Sequence, residues 1–492
     1  MQSFYPQRVS RIFRHLFMMA VCLFLMSCKA NKSPVVPDPL PSDEIGKAQA
    51  WLTRGDKSKL LSREGDLSIK TTASSSWPVI DVDTSARFQT MQGFGAALTG
   101  SAAYLFHHKM EGATRNSTLR KLFDRVDGIG ISYLRLSIGA SDFSLSEYSL
   151  DDIPVNQTDF TLQHFSLARD TEDVVPVMKE ILQISPDIKL IGSPWSPPAW
   201  MKTNGSMRGG KLKTDCYDVY GDYFVRYIME MKGKGITLAA ITTQNEPLYA
   251  TAGYPCMDMQ ATDQLAFIKN NLGPKFQAAG INTKIIIYDH NWDHAEYPIS
   301  ILNDPAAKNY IAGSAFHGYG GDVSSMSSVH YAHPDRELYF TEISGGTWAT
   351  NFSDNLMWNM SNIFIGAIRN WSTCSLMWNL ALDQQGGPHE NGTSTCRGVI
   401  TVNSSSGQIT LNEEYYSIAH FSKFVKPGAV RIASQIPQAL SGLIAVAFQN
   451  PDGSKVLVVC NTGSTLQVFS VKQGQKNFAY SLAAKSVVSL KW

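Results

Sequence analysis

At 492 residues and 43% hydrophobic, the chain can bury a large core, as one large barrel or as two to three ordinary domains, and global disorder is excluded. Basic and acidic residues nearly cancel, 43 against 42, and no long Lys/Arg run occurs beyond the N-terminus, which argues against nucleic acid as a partner. An aromatic content of 11% with ten Trp suits stacking on sugar faces, and suits a large core equally well.

At the N-terminus, Arg8, Arg11 and Arg14 precede the apolar run LFMMAVCLFLM, which is short for a membrane span and has the layout of a secretory signal. It closes on Leu25 to Cys28, LMSC, which resembles a bacterial lipobox. Residues 1–28 are therefore expected to be a lipoprotein signal, with Cys28 lipidated, and the Pro-rich stretch 29–45 a tether. The expectation is an exported lipoprotein anchored to the bacterial outer membrane. Five further cysteines lie in wide spacings with no CxxC pair, so they are not a zinc site; Cys374 with Cys396, or Cys216 with Cys256, are possible disulfides.

Residues 46–84 contain strand-like runs, LSREGDLSIK and WPVIDVDT. Over 85–425, amphipathic helical stretches alternate with short apolar strands whose ends carry polar or aromatic residues. In DTEDVVPVMKEILQI, Val174, Met178, Ile181 and Leu182 share a face, with Asp170 as a candidate cap. Eight strands are predicted, in MQGFGAALTG, ISYLRLSIGASDF, KLIGSPWSPPAW, LAAITTQNEP, KIIIYDHN, IAGSAFHGYGGD, LYFTEISGG and SLMWNLALD. Their alternation with helices predicts a closed (β/α)8 barrel of the TIM type, an α/β fold, and no Gly-rich phosphate cradle supports an open doubly wound sheet. After Pro427 the texture turns to alternating runs with Asp452-Gly453 as a hairpin turn, so 426–492 is expected to form a small β-sandwich with the N-terminal strands.

The C-terminal ends of barrel strands carry the active face. Two of them bear carboxylates, Glu246 in TTQNEPL and Glu342 in FTEISGG, the pair that glycosidic cleavage needs: one to protonate the leaving oxygen, one to attack or to activate water. Taken alone, Glu246 is equally readable as a helix cap; Glu342 at a second strand end shifts the balance toward chemistry.

The motifs SIGASDFS, SPWSPPAWMKTNG, TTQNEPL, FHGYGGD, FTEISGG, WNLALDQQGGP and AHFSKFVKPGAVRI, in this order, resemble those of glycoside hydrolase family 30, over nearly the whole mature chain. The resemblance implies a retaining mechanism with Glu246 as acid/base and Glu342 as nucleophile, and no metal or organic cofactor. It implies that Asp142, Trp195, Asn245 and Trp378 contact the sugar, that Tyr319 hydrogen-bonds the nucleophile, and that Arg135 supports Glu342 from below, although Arg135 reads as well as the partner of a structural acid inside the barrel. His317 is a candidate binding residue that reads equally well as a core histidine, and Asp289 is a supporting residue or a loop cap. The segment with GGPHENG and TCRGVI resembles the β-1,6-glucanase branch more than the glucosylceramidases, and His389, Glu390 and Arg397 in it are candidate lining residues, explained as well by loop polarity. The expected activity is endo-β-1,6-glucanase on a β-glucan, by a monomer. An exo-acting β-glucosidase or glucosylceramidase is the alternative, and a non-catalytic carbohydrate-binding lipoprotein a second.

Overall fold

The computed structural model describes residues 43–71, 76–390 and 392–492; the expected signal, Cys28 and nearly all of the tether lie outside the described residues. All eight predicted strands form and close into one parallel barrel: Gly93–Leu98, Tyr133–Ile138, Lys189–Pro194, Ala240–Thr242, Lys284–Asn291, Ile311–His317, Glu337–Glu342 and Ser372–Asn379, the eighth pairing back to the first. Apolar side chains on both faces of these strands explain why they read as continuous hydrophobic runs. One set packs outward against the helices, and the other fills the barrel interior as Tyr133, Ile191, Ala240, Ile286, Ala315, Tyr339, Cys374 and Leu376.

The second unit of the fold is a ten-stranded sheet built from both chain ends, in which Glu44–Arg54 pairs with Ser486–Lys491 and with Leu67–Lys70. Its strands alternate between two cores. Ala445, Ala447, Leu457 and Val459 face the sandwich interior, while Val446, Phe448, Val456 and Val458 pack with the barrel's helical layer. The strand Val79–Thr90 runs in this sheet to Thr90, six residues past the expected boundary at 84, and Lys476–Leu482 is a strand that the alternation did not reveal. Phe478, Tyr480 and Leu482 are more buried than Ala479 and Ser481 between them, but the run opens on polar Lys476 and Asn477 and holds only these three inward apolar residues.

Two local expectations are corrected. Asp170 does not cap the helix Val174–Ile184; it is buried and accepts the Tyr148 hydroxyl at 2.7 Å, and Asp173 holds the N-cap position. The five cysteines are free: Cys374 is sealed in the barrel interior, whereas Cys396 borders a cavity, and the Cys256 thiol accepts the Thr251 and Gly209 amides.

The helix Glu413–Ser422 joins the two units through His420, whose ring nitrogens lie 2.8 Å from Ser489 Oγ and 2.8 Å from Thr53 Oγ1. Complete burial pushes this imidazole down to about 3. Below about pH 6.5 the unfolded histidine takes a proton that the folded one refuses, so stability falls as pH falls, by about 1.4 kcal/mol per pH unit until the folded value is reached. We expect His420→Gln to flatten the loss of urea stability between neutral pH and pH ~4.5 relative to wild type. Parallel curves for the two proteins would refute this.

Candidate active site

Along each barrel strand, the residue two positions beyond an apolar interior residue points into the barrel again, one layer higher. Tyr133 is thus followed by Arg135, Ile191 by Ser193, Ala240 by Thr242, Ala315 by His317 and Tyr339 by Thr341. This layer is polar and fully buried. In the fifth strand the register slips between Tyr288 and His290, leaving Asp289 as the extra residue with φ 64°. Such a bulge re-aims a side chain. The Asp289 carboxylate enters the layer, where Oδ2 accepts Arg135 at 2.8 Å, Ser193 at 2.8 Å and Thr242 at 2.7 Å, and Oδ1 accepts Thr341 at 2.6 Å.

On this layer stand the two glutamates. Glu246 adopts φ 44°, a left-handed backbone that costs a non-glycine residue about 1–3 kcal/mol. Its loop holds it there: the Glu246 amide donates to Asp289 O at 3.0 Å, the Asn245 amide to Pro194 O at 2.8 Å, and the Gln244 side chain to Trp195 O at 2.7 Å. Glu342 ends the seventh strand, hydrogen-bonded by Arg135 to Oε2 and by Tyr319 Oη to Oε1 at 3.0 Å. One oxygen of each glutamate and a nitrogen of His317 lie within 4.8 Å of one another. That separation falls with retaining glycosidases, about 5–5.5 Å, and not with inverting ones, about 6.5–9.5 Å.

The electrostatics set the resting proton distribution. Burial opposes a charge on His317, but Glu342 and the hydrogen bonds to Asp289 (3.1 Å) and Glu246 (3.0 Å) lift it to about 9. Burial likewise lifts Glu246, but the His317 contact outweighs it and holds that carboxyl below its ordinary value. Burial raises Glu342 against the pull of His317 and Arg135, with Glu246 adding its repulsion. The proton of the Glu246–His317 pair therefore rests on the imidazole. Asp142 is pushed up to about 8 by burial and by both glutamates, so it stands as a neutral acid with one oxygen lacking a protein partner.

A cavity of about 330 Å³ opens over the pair, bordered among others by Asp142, Tyr319 and Trp378. Arg135 and His317 lie beneath it, fully buried. Trp195 and Asn245 are buried in support. Trp195 stacks on Trp378 with centroids 5.0 Å apart and takes the Arg135 guanidinium on its other contacts at 4.7 Å, and Asn245 Oδ1 accepts Arg135 at 2.7 Å. Of the other loop candidates, Arg397 is paired with Glu414, Glu390 accepts the Glu147 amide and His389 packs edge-on against Phe143, so none of the three borders the cavity. Gly345 passes so close beneath Arg397 that a Cβ there would start 1.8 Å from Glu414 Oε1. The cavity residues that sequence reasoning missed are Tyr249, Tyr254, Ser344, Trp348 and Thr393 on loops, and His290 and Asn291 at the end of the fifth strand. Tyr249 follows TTQNEP by two positions and His290 adjoins Asp289, so proximity to the motifs was the available signal; Trp348 and Thr393 offered none.

Arg135 forks between Asp289 and Glu342, pairing with both. Removing it strands two buried carboxylates, and loss of one partner of such a pair costs about 3–5 kcal/mol. We expect Arg135→Met to lower the urea midpoint accordingly. Arg135→Lys is expected to fall in between, because a single ammonium cannot fork to both acids. An unchanged midpoint in Arg135→Met would refute the assignment.

A parallel eight-stranded barrel with two facing carboxylates at its strand ends, beside an aromatic cavity, defines the class of barrel glycosidases that act through a glutamate pair. The family follows from comparison with known proteins. The chain belongs to glycosyl hydrolase family 30: the family's TIM-barrel domain matches residues 91–425 and its β-sandwich domain residues 428–490. It is an O-glycosyl hydrolase. It is 36% identical to an endo-1,6-beta-D-glucanase of Neurospora crassa over 405 residues, covering 79% of this chain and 82% of that protein. It is 29% identical to the lysosomal acid glucosylceramidase of Mus musculus, covering 77% and 76%. Among solved structures, the endo-beta1,6-glucanase BT3312 superposes with a TM-score of 0.84 at 38% identity, covering 91% of this chain and 99% of that one.

Proposed function

We propose that the protein is a retaining endo-β-1,6-glucanase, with Glu342 as nucleophile and Glu246 as acid/base. The observation that carries the mechanism is the close approach of the two carboxylates over the Arg135–Asp289 layer. A sugar entering the cavity displaces water from the Glu246–His317 pair and favours its neutral form, so the proton crosses the 3.0 Å contact from His317 Nδ1 to Glu246 Oε1. Glu342 then attacks the anomeric carbon, the glycosidic C–O bond breaks, and Glu246 gives its proton to the departing oxygen. The ester removes the Glu342 charge and the Glu246 carboxylate now faces no second anion across the cleft. It takes a proton from water, whose oxygen attacks the same carbon and frees Glu342 with configuration retained.

The 1,6-linkage preference is supported by the identity to proteins named endo-1,6-beta-glucanases and by an open aromatic rim, with Trp348 59% and Tyr249 47% exposed, suited to stacking on a continuing chain. Incubation with a linear β-1,6-glucan is expected to release β-anomeric oligosaccharides of mixed length at early times. Release of glucose alone would favour exo action, and cleavage only of glucosylceramide would favour the glucosylceramidases, also among the relatives.

We further propose that the enzyme is held to the outer membrane through lipidated Cys28, a reading that rests on LMSC and the Pro-rich stretch after it. Cys28→Ala is expected to move the enzyme from the membrane to the soluble fraction; unchanged membrane association would overturn the anchor.

A further inference from the structure

Away from the active site, His107, His108 and Asp173 bring three ligand atoms within 4.8 Å of one another. The histidines end the helix Gly100–Lys109, and Asp173 precedes the helix Val174–Ile184. His107 Nδ1 and His108 Nε2 both lie 2.7 Å from the same oxygen, Asp173 Oδ1, with the two rings 4.6 Å apart. Consecutive helical residues ordinarily diverge by about 100°. Here the helix is at its end, and Arg115 braces the turn by donating to the carbonyls of His107 (3.3 Å) and Met110 (3.4 Å) while pairing with Glu180 at 3.0 Å.

Asp173 supplies an independent observation. It occupies an N-cap position, where an aspartate gains by accepting amides of its own helix, yet its side chain makes no cap hydrogen bond. The carboxylate is largely buried and serves the imidazoles instead, while His108 is half exposed and leaves an approach from solvent.

The geometry points to a divalent transition-metal site, and we propose that it takes Zn²⁺ through His107 Nδ1, His108 Nε2 and an Asp173 oxygen, with water as the fourth ligand. Two imidazoles and one carboxylate suit zinc, and do not suit magnesium or calcium, which require oxygen ligands. At bond lengths of about 2.0–2.1 Å a tetrahedral ion spaces its ligands about 3.4 Å apart, so the present contacts need to open by only about 0.7 Å. The ion would staple the helix after the first barrel strand to the start of the helix before the third.

The test titrates zinc alone into chelator-treated full-length enzyme. One equivalent is expected to bind in the micromolar range and raise Tm, and cobalt in its place is expected to give the visible absorption of a tetrahedral centre. His108→Ala, at a half-exposed position, and Asp173→Asn are expected to weaken binding by about 30-fold or more while glucan hydrolysis is unchanged. Binding that survives His108→Ala, or that tracks inhibition through the Glu246, His317 and Glu342 group, would overturn the proposal. So would the absence of any binding tighter than millimolar.

Discussion

Glu342→Gln is expected to reduce glucan hydrolysis on the order of 10⁴-fold or more, because the neutral amide cannot form the ester on which both steps depend. The fold should persist. The glutamine oxygen can still accept Arg135 in the place of Oε2, its NH2 in the place of Oε1 can donate to the Tyr319 hydroxyl oxygen, and Arg135 keeps its 2.8 Å partner Asp289, so no buried cation is left alone. Binding of a β-glucan oligosaccharide should therefore survive, which separates loss of chemistry from loss of the site. Residual turnover near wild type would reject Glu342 as nucleophile, and loss of the folded state would show that the charge is structural.

Glu246→Gln is expected to cost about 10²–10⁴-fold on the glucan, whose leaving oxygen needs a proton, and far less in the first step on an activated aryl glucoside. The second step still lacks its base, so the aryl substrate should give a burst followed by slow turnover. Added azide, which needs no base, should restore the rate and release a β-glycosyl azide. The pH profile gives a second readout. As pH rises, the Glu246–His317 pair loses the proton it shares and wild-type kcat/KM falls on the alkaline side. That limb should vanish in Glu246→Gln. Equal losses on both substrates, with the alkaline limb intact, would count against the acid/base role.

Both carboxylates were legible because the strand period and the flanking motifs place them at strand ends, and the barrel's strand count and parallel order follow from the helix–strand alternation. The interior polar layer was legible in principle as well, since Arg135, Ser193, Thr242, His317 and Thr341 each follow an apolar interior residue by two positions. His317 was ambiguous because a histidine at a strand end can face either the ligand or the core. The 3.0 Å and 3.1 Å contacts to Glu246 and Asp289 place it beneath the cavity as their bridge. Asp289 depended on a bulge that period-2 reasoning cannot foresee.

What the sequence by itself determined is therefore what local periodicity and short motifs encode: the eight barrel strands, the terminal β unit, the two glutamates and the family. What only the tertiary structure decided is what depends on distances between remote residues. The approach of Glu246 to Glu342 joins residues 96 positions apart and selects retention; the His107–Asp173 contact spans 66. The rim contributed by Trp348 and Thr393 comes from loops, whose paths are set by the ends they connect and by packing over the barrel mouth, not by any repeat in their own residues.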